Sequence, residues 1–131
     1  MAESLLFTCN KCGFQVESWS DGNPYIQGSA RKRFYYYHPA EESQLVEIGK
    51  KLYGRVLNSQ EINIMRKERG SNAPDHICLS CGKIRKLNPR KDRMVCTSCK
   101  GKNFVETWEL AGKKCMMCDG VFLDGIPHAI S

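Results

Sequence analysis

A small metal-stabilised α+β fold is predicted by three observations on this sequence. Eight cysteines fall as four Cys-x-x-Cys pairs, short runs with strand-like alternation surround them, and a cysteine-free stretch near the middle has helical period. At 131 residues, 41% hydrophobic and 26% charged, the chain has room for one compact domain or two small ones and none for a large multidomain enzyme. The core of such a chain is modest, so bound metal would contribute materially to its stability.

Taken in order, Leu5-Leu6-Phe7 reads as a strand running into Cys9-Asn10-Lys11-Cys12-Gly13, and residues 14–19 leave that knuckle with strand-like alternation. Asp21-Gly22-Asn23-Pro24 gathers turn-forming residues before Tyr25 and Ile26. Residues 33–37 form the next strand, ended by His38-Pro39. Leu45, Ile48 and Leu52 recur at three and four residues, which places them on one face of a helix. A second helix starts at Asn58 or Ser59. Asn58 with Glu61 three residues later matches a capping box, Ile62 and Met65 are the apolar positions, and Arg66, Lys67 and Arg69 suit the C-terminal dipole. Residues 71–75 read as a linker. Residues 83–87, a turn over 88–92 and residues 93–95 are expected to form a hairpin, and residues 104–110 supply a third strand. Three regions result: an N-terminal knuckle with strands over 1–39, a helical insertion with its linker over 40–74, and a cysteine-rich region over 75–131, together forming a single compact unit.

The pairs are Cys9/Cys12, Cys78/Cys81, Cys96/Cys99 and Cys115/Cys118. Two intervening residues let a tight turn aim both sulfurs at one ion, and a second pair completes a tetrahedron with metal–sulfur distances of about 2.3 Å for zinc. Gly13, Gly82, Gly101 and Gly120 follow the second cysteine of each pair by one or two positions, as such turns require. A thioredoxin-like redox site would need one such motif in a βαβ setting, which these strand-and-turn surroundings do not provide. The chain opens Met1-Ala2-Glu3-Ser4 without the pattern of a secretory signal, so a cytoplasmic location is expected, where thiols bind metal rather than form disulfides. The apolar runs are far shorter than the roughly 20 residues of a membrane span. Two zinc ions per chain are expected, although iron accepts the same four sulfurs. Spacing leaves the pairing open. Either Cys78/Cys81 joins Cys96/Cys99 and Cys9/Cys12 joins Cys115/Cys118, or Cys96/Cys99 joins Cys115/Cys118 about a turn at Ala111-Gly112.

The repeated knuckles resemble the rubredoxin-like knuckles of the zinc-ribbon superfamily. Ile77-Cys78-Leu79-Ser80-Cys81-Gly82 with Cys96-Thr97-Ser98-Cys99-Lys100-Gly101 is similar to the small FmdB-type regulatory zinc ribbons, over residues 77 to about 104 only. The resemblance implies two four-cysteine zinc ribbons built from short antiparallel β-hairpins, and association with nucleic acid. That family commonly has proline after the third cysteine and glycine after the fourth, where this chain has Thr97 and Lys100.

Charge gives a second indication. The formal net charge is +6, but a divalent ion with four thiolates carries −2, so two such sites lower the total to about +2. Locally the excess is stronger: Lys83, Arg85, Lys86, Arg90, Lys91, Arg93, Lys100 and Lys102 face only Asp92 over the same stretch. Lys83, Arg85, Lys86, Arg90, Lys91 and Arg93 are therefore candidate DNA or RNA contacts. Arg31, Arg33, Tyr35 and Tyr37 are a second candidate set, sharing one face of a strand as a cationic stacking platform does. The competing reading has Phe34 and Tyr36 packing beneath the helices while the basic residues keep an edge strand soluble. Closed four-sulfur sites argue against hydrolytic zinc chemistry, and His38, His76 and His128 are too scattered to be ligands. The expectation is a non-enzymatic, nucleic-acid-associated regulatory protein. The alternative is an adaptor for a larger protein complex, docking through the Met116-Met117 knuckle or the helical insertion; thiol redox or zinc storage ranks third. No membrane and no small-molecule substrate are expected.

Overall fold

The structure, a computed structural model, describes residues 2–130. In chain order its elements are β1 (Glu3–Thr8), β2 (Gln15–Trp19), β3 (Pro24–Gln27), β4 (Arg33–Tyr35), α1 (Glu41–Tyr53), α2 (Ser59–Arg69), β5 (Gly70–Asn72), β6 (Asp75–Cys78), β7 (Ile84–Lys86), β8 (Phe104–Glu106), a 3-10 turn (Thr107–Glu109) and β9 (Ile126–Ile130). Three antiparallel three-stranded sheets result, ordered β2-β1-β9, β4-β3-β5 and β7-β6-β8. This is a small α+β architecture carrying two cysteine clusters. No helix among the described residues is long and apolar enough to cross a membrane. The chain divides into two compact units, residues up to Gly22 with those from Pro74 onward, and Asn23–Ala73.

In the first unit the sheets β2-β1-β9 and β7-β6-β8 share one topology. A central strand, β1 or β6, leads into a Cys-x-x-Cys knuckle that is itself the turn to β2 or β7, and the strand after a second knuckle pairs on the other edge. The reversal depends on a left-handed residue directly after the second cysteine, and Gly13 (φ 77°) and Gly82 (φ 82°) provide it. The hydrogen bonds repeat as well. Cys9 N–H donates to Phe14 O and Cys78 N–H to Lys83 O, both at 2.9 Å, while Asn10 N–H reaches Val121 O and Leu79 N–H reaches Asn103 O, again at 2.9 Å. The second module is thus inserted between β2 and the last knuckle of the first. Both share one core of Phe7, Val16, Ile77, Leu110 and Phe122, and the buried Ser18 and Thr107 hydroxyls lie 2.7 Å apart.

The expected hairpin over 83–95 takes a different form. β7 pairs with β6 across the Cys78–Cys81 knuckle, and residues 93–95 form no strand. The Asn88 backbone N–H donates to Asp92 instead, closing a turn over residues 88–92. The third strand stops at Glu106 and passes into the 3-10 turn. β9 is an additional edge strand, with Pro127 where an edge tolerates a residue lacking an N–H.

In the second unit α1 and α2 cover one face of β4-β3-β5, enclosing Ile26, Tyr36, Leu45, Ile48, Leu57 and Met65, with Phe34, Leu52 and Ile62 at the margin. Phe34 and Tyr36 therefore face the helices. α1 has Glu41 and Glu42 in its first turn and ends at left-handed Gly54. α2 starts with the capping box: Asn58 Oδ1 accepts from Glu61 N–H at 2.8 Å, and Glu61 Oε1 accepts from Asn58 N–H at 3.1 Å. The boundary expected after residue 39 falls inside this unit, which also takes in β3 and β4. The expected linker over 71–75 instead contains the end of β5 and the start of β6.

Candidate metal centres

The shared topology brings the knuckles together in pairs. Cys9, Cys12, Cys115 and Cys118 form one cluster and Cys78, Cys81, Cys96 and Cys99 the other, the four sulfurs of each lying within 4.8 Å of one another. This is the first of the two pairings that spacing allowed. Sγ–Sγ separations are 3.4 Å for Cys9–Cys118, 3.8 Å for Cys12–Cys115, 3.6 Å for Cys78–Cys99 and 3.5 Å for Cys81–Cys96. A tetrahedron with metal–sulfur bonds near 2.3 Å has edges of about 3.8 Å, so both sets fit a four-sulfur ion. All eight cysteines are free thiols.

Backbone N–H groups inside each knuckle point at sulfur. Lys11 and Met117 approach Cys9 and Cys115 at 3.4 Å, and Gly120 approaches Cys118 at 3.2 Å. The amides of Cys12 and Lys11 lower the Cys9 thiol to about 6, and those of Cys99 and Ser98, against burial, lower Cys96 to about 6. Burial opposes ionisation of Cys78, but the amides of Cys81 and Ser80 outweigh it and move it down. The Phe14 amide favours the Cys12 thiolate, yet burial and the sulfurs of Cys118, Cys9 and Cys115 push it up to about 12. Cys81 is likewise pushed up to about 12, by Cys96 and burial against the Lys83 amide, and Cys99 moves up beside Cys78 against the Gly101 amide. Each cluster thus assembles easily ionised and reluctant thiols, and a divalent cation would remove the mutual repulsion that holds the reluctant ones protonated.

The histidines stay outside both clusters. His76 is buried with Nδ1 2.7 Å from Pro74 O, His128 lies 3.6 Å from Glu17, and His38 is exposed. Two cross-knuckle contacts carried no signal in the spacing: Asn10 Oδ1 accepts from Val121 N–H at 3.0 Å, and Lys11 pairs with Asp119 at 3.1 Å.

Around the second cluster Lys83, Lys86, Arg90, Lys91, Arg93, Lys100 and Lys102 are exposed. Arg85 is half-buried and donates to Thr97 Oγ1, tying β7 to the Cys96–Cys99 knuckle. Arg90 and Lys91 sit on a braced turn. Asn88 N–H donates to Asp92 at 2.7 Å, Arg90 N–H to Asn88 Oδ1 at 3.0 Å, and Lys91 N–H to Asn88 O at 3.0 Å. Lys100 is left-handed (φ 63°), at the position where the resembled family has glycine.

The second candidate set is only partly assembled. Arg33 lies over Tyr25 at 4.5 Å, Tyr25 meets Tyr35 edge-on at 5.6 Å, and Tyr35 stacks with Tyr37 at 6.4 Å, while the Tyr37 hydroxyl donates to Asn23. These side chains engage one another. Arg31 does not share their strand face: it is left-handed (φ 63°) in the turn where Lys32 N–H returns to Ser29 O.

No protein-family model, curated protein or solved structure matches the chain. Its own geometry supplies two four-cysteine groups, each able to hold a metal ion.

Proposed function

We propose that the chain is a non-enzymatic zinc protein of the reducing cytoplasm, in which two closed four-cysteine ribbons of the zinc-ribbon type present a basic surface to DNA or RNA. The residues fit the metal: eight sulfurs in two tetrahedral sets leave no coordination position for a reacting water. Zinc bound there would act as a structural ion, and the chain's amides and thiolates hold it. The likeness of residues 77–104 to FmdB-type regulatory ribbons points the same way.

The observation that carries the nucleic-acid reading is Lys100. A left-handed non-glycine residue costs on the order of 1–2 kcal/mol, and this chain keeps a lysine there, exposed, in the same module as the braced Arg90-Lys91 turn. Retaining strain to keep a charge fits contact with a polyanion. The test is titration of DNA and RNA oligonucleotides at two salt concentrations. Log K should fall with log salt by about 0.9 per phosphate contact on duplex DNA or about 0.7 on single strands. Changing Arg90, Lys91, Arg93 and Lys100 to Ser should flatten that slope, with Arg85 kept because it braces Thr97. Absence of binding at low salt, or binding indifferent to the four changes, would favour the adaptor reading, which Met117 supports by standing 61% exposed on the last knuckle.

A further inference from the structure

The two modules repeat one topology, so each serves as a control for the other, and they differ in how well their sulfurs are protected. In the first module only Cys12 is exposed, and its opposite number Cys118 is half-buried; in the second both Cys81 and Cys99 are exposed, one on each knuckle. The knuckles of the first module are also clasped by side chains, through Asn10 on Val121 N–H and Lys11 on Asp119. At the position equivalent to Asn10 the second module has Leu79, whose backbone keeps the N–H bond to Asn103 and whose side chain has no polar group to add a second. In the second module Arg85 on Thr97 ties β7 to the Cys96–Cys99 knuckle, and Asn88 and Asp92 brace the turn that follows β7. Gly120 in the first module packs tightly enough that a Cβ there would lie 2.8 Å from Cys9 Sγ, whereas at the equivalent Gly101 the nearest sulfur, Cys99, would be 3.3 Å away.

We infer that the Cys78/Cys81/Cys96/Cys99 cluster is a peroxide-sensitive site, while the Cys9/Cys12/Cys115/Cys118 cluster is a permanent clasp. Oxidation follows thiolate character and exposure; with an ion bound all eight sulfurs would be thiolates, so exposure is what separates the clusters, and Cys81 and Cys99 are exposed together in one cluster, their sulfurs no more than 4.8 Å apart. The oxidant is a hydroperoxide. The Cys81 and Cys99 thiolates lose two electrons and form one S–S bond. The peroxide O–O bond breaks, taking up those two electrons and two protons from the buffer to give two waters in the case of hydrogen peroxide. Joined to each other, Cys81 and Cys99 could no longer hold an ion, and Cys78 and Cys96, left as two thiolates, would take up protons from solvent. A dithiol reductant with zinc restores the starting state.

The inference rests on the metal reading of the clusters and not on nucleic-acid binding. Its test uses the full chain loaded with zinc, its metal content measured first, then treated with hydrogen peroxide. Released zinc is followed with a chromogenic chelator, and oxidised cysteines are mapped by differential alkylation and mass spectrometry. One equivalent should leave about tenfold faster than the other, as expected from the extra cross-knuckle bonds of the first module, with Cys81 and Cys99 oxidised in step. In the Asn10→Ala, Lys11→Ala double variant the slow phase should approach the fast one, a readout independent of cysteine replacement. Release of both ions in one phase, oxidation of Cys12 or Cys118 first, or a slow phase unmoved in the double variant would overturn the inference. Fewer than two equivalents before peroxide would overturn the metal reading instead.

Discussion

Replacing Gly120 by Ala tests how closely the first four-sulfur site is built. Gly120 is not left-handed, so the effect is one of space alone. The new Cβ would fall 2.7 Å from Asn10 Oδ1, 2.8 Å from Cys9 Sγ and 3.0 Å from Lys11 Cβ. Ordinary contact begins at 3.4 Å, so the Cys9 sulfur or the knuckle carrying it must retreat by about 0.6 Å, while metal–ligand distances tolerate about 0.2 Å. Overpacking of this kind costs about 1–3 kcal/mol, equivalent to a loss of roughly 5- to 150-fold in affinity at that site. The matched control is Gly101→Ala, whose Cβ would meet Cys99 Sγ at 3.3 Å and Ser80 Oγ at 3.5 Å, close to ordinary contact. Competition of each variant against a graded series of zinc chelators, with release assigned to a cluster by NMR of the knuckle amides, measures both. Gly120→Ala should weaken one equivalent, assigned to Cys9/Cys12/Cys115/Cys118, and Gly101→Ala should leave both nearly unchanged. Unaltered competition in Gly120→Ala, or equal damage from both, would refute the close-packing argument.

Three further outcomes follow from individual residues. Lys100→Gly should stabilise the second module by about 0.5–1 kcal/mol, the relief of left-handed strain less the entropy of glycine, and should lower nucleic-acid affinity; a destabilised denaturant midpoint would contradict it. Leu45→Ala, at a side chain 1% exposed, should cost about 2–5 kcal/mol and lower helical circular dichroism while both metal equivalents remain. The Glu61 carboxyl, held by Arg55 and the Asn58 N–H, is lowered from its ordinary 4.5 to about 2. Its support of the α2 cap is therefore complete above 4.5 and is lost as pH falls through about 2; a carboxyl carbon titration with a midpoint near 4.5 would contradict the ion pair.

The parts of this fold legible in the sequence are those set by local chemistry. Cys-x-x-Cys spacing identifies all four knuckles, and Asn58 with Glu61 marks the start of α2, because each motif acts within a few residues. Pairing is not legible, since sulfurs 109 residues apart, Cys9 and Cys118, meet only once β9 returns to β1. β5 escapes notice because Gly70-Ser71-Asn72 has no strand propensity and pairs only where α2 delivers it beside β3. The hairpin expected over 83–95 does not form because β7 can pair with whichever strand lies beside it, and β6 arrives first across the knuckle. Alternation puts Arg31 on a strand face, and it fails where Ala30 and Arg31 both turn left-handed. Asn10 and Lys11 read as filler between two ligands, and only the approach of the last knuckle gives them partners.

The most direct test of two structural zinc sites is the metal itself. Protein purified under reducing conditions, measured by elemental analysis and X-ray absorption, should contain two zinc ions per chain with four sulfurs each at about 2.3 Å. One equivalent per chain, or nitrogen or oxygen in the first coordination shell, would contradict it.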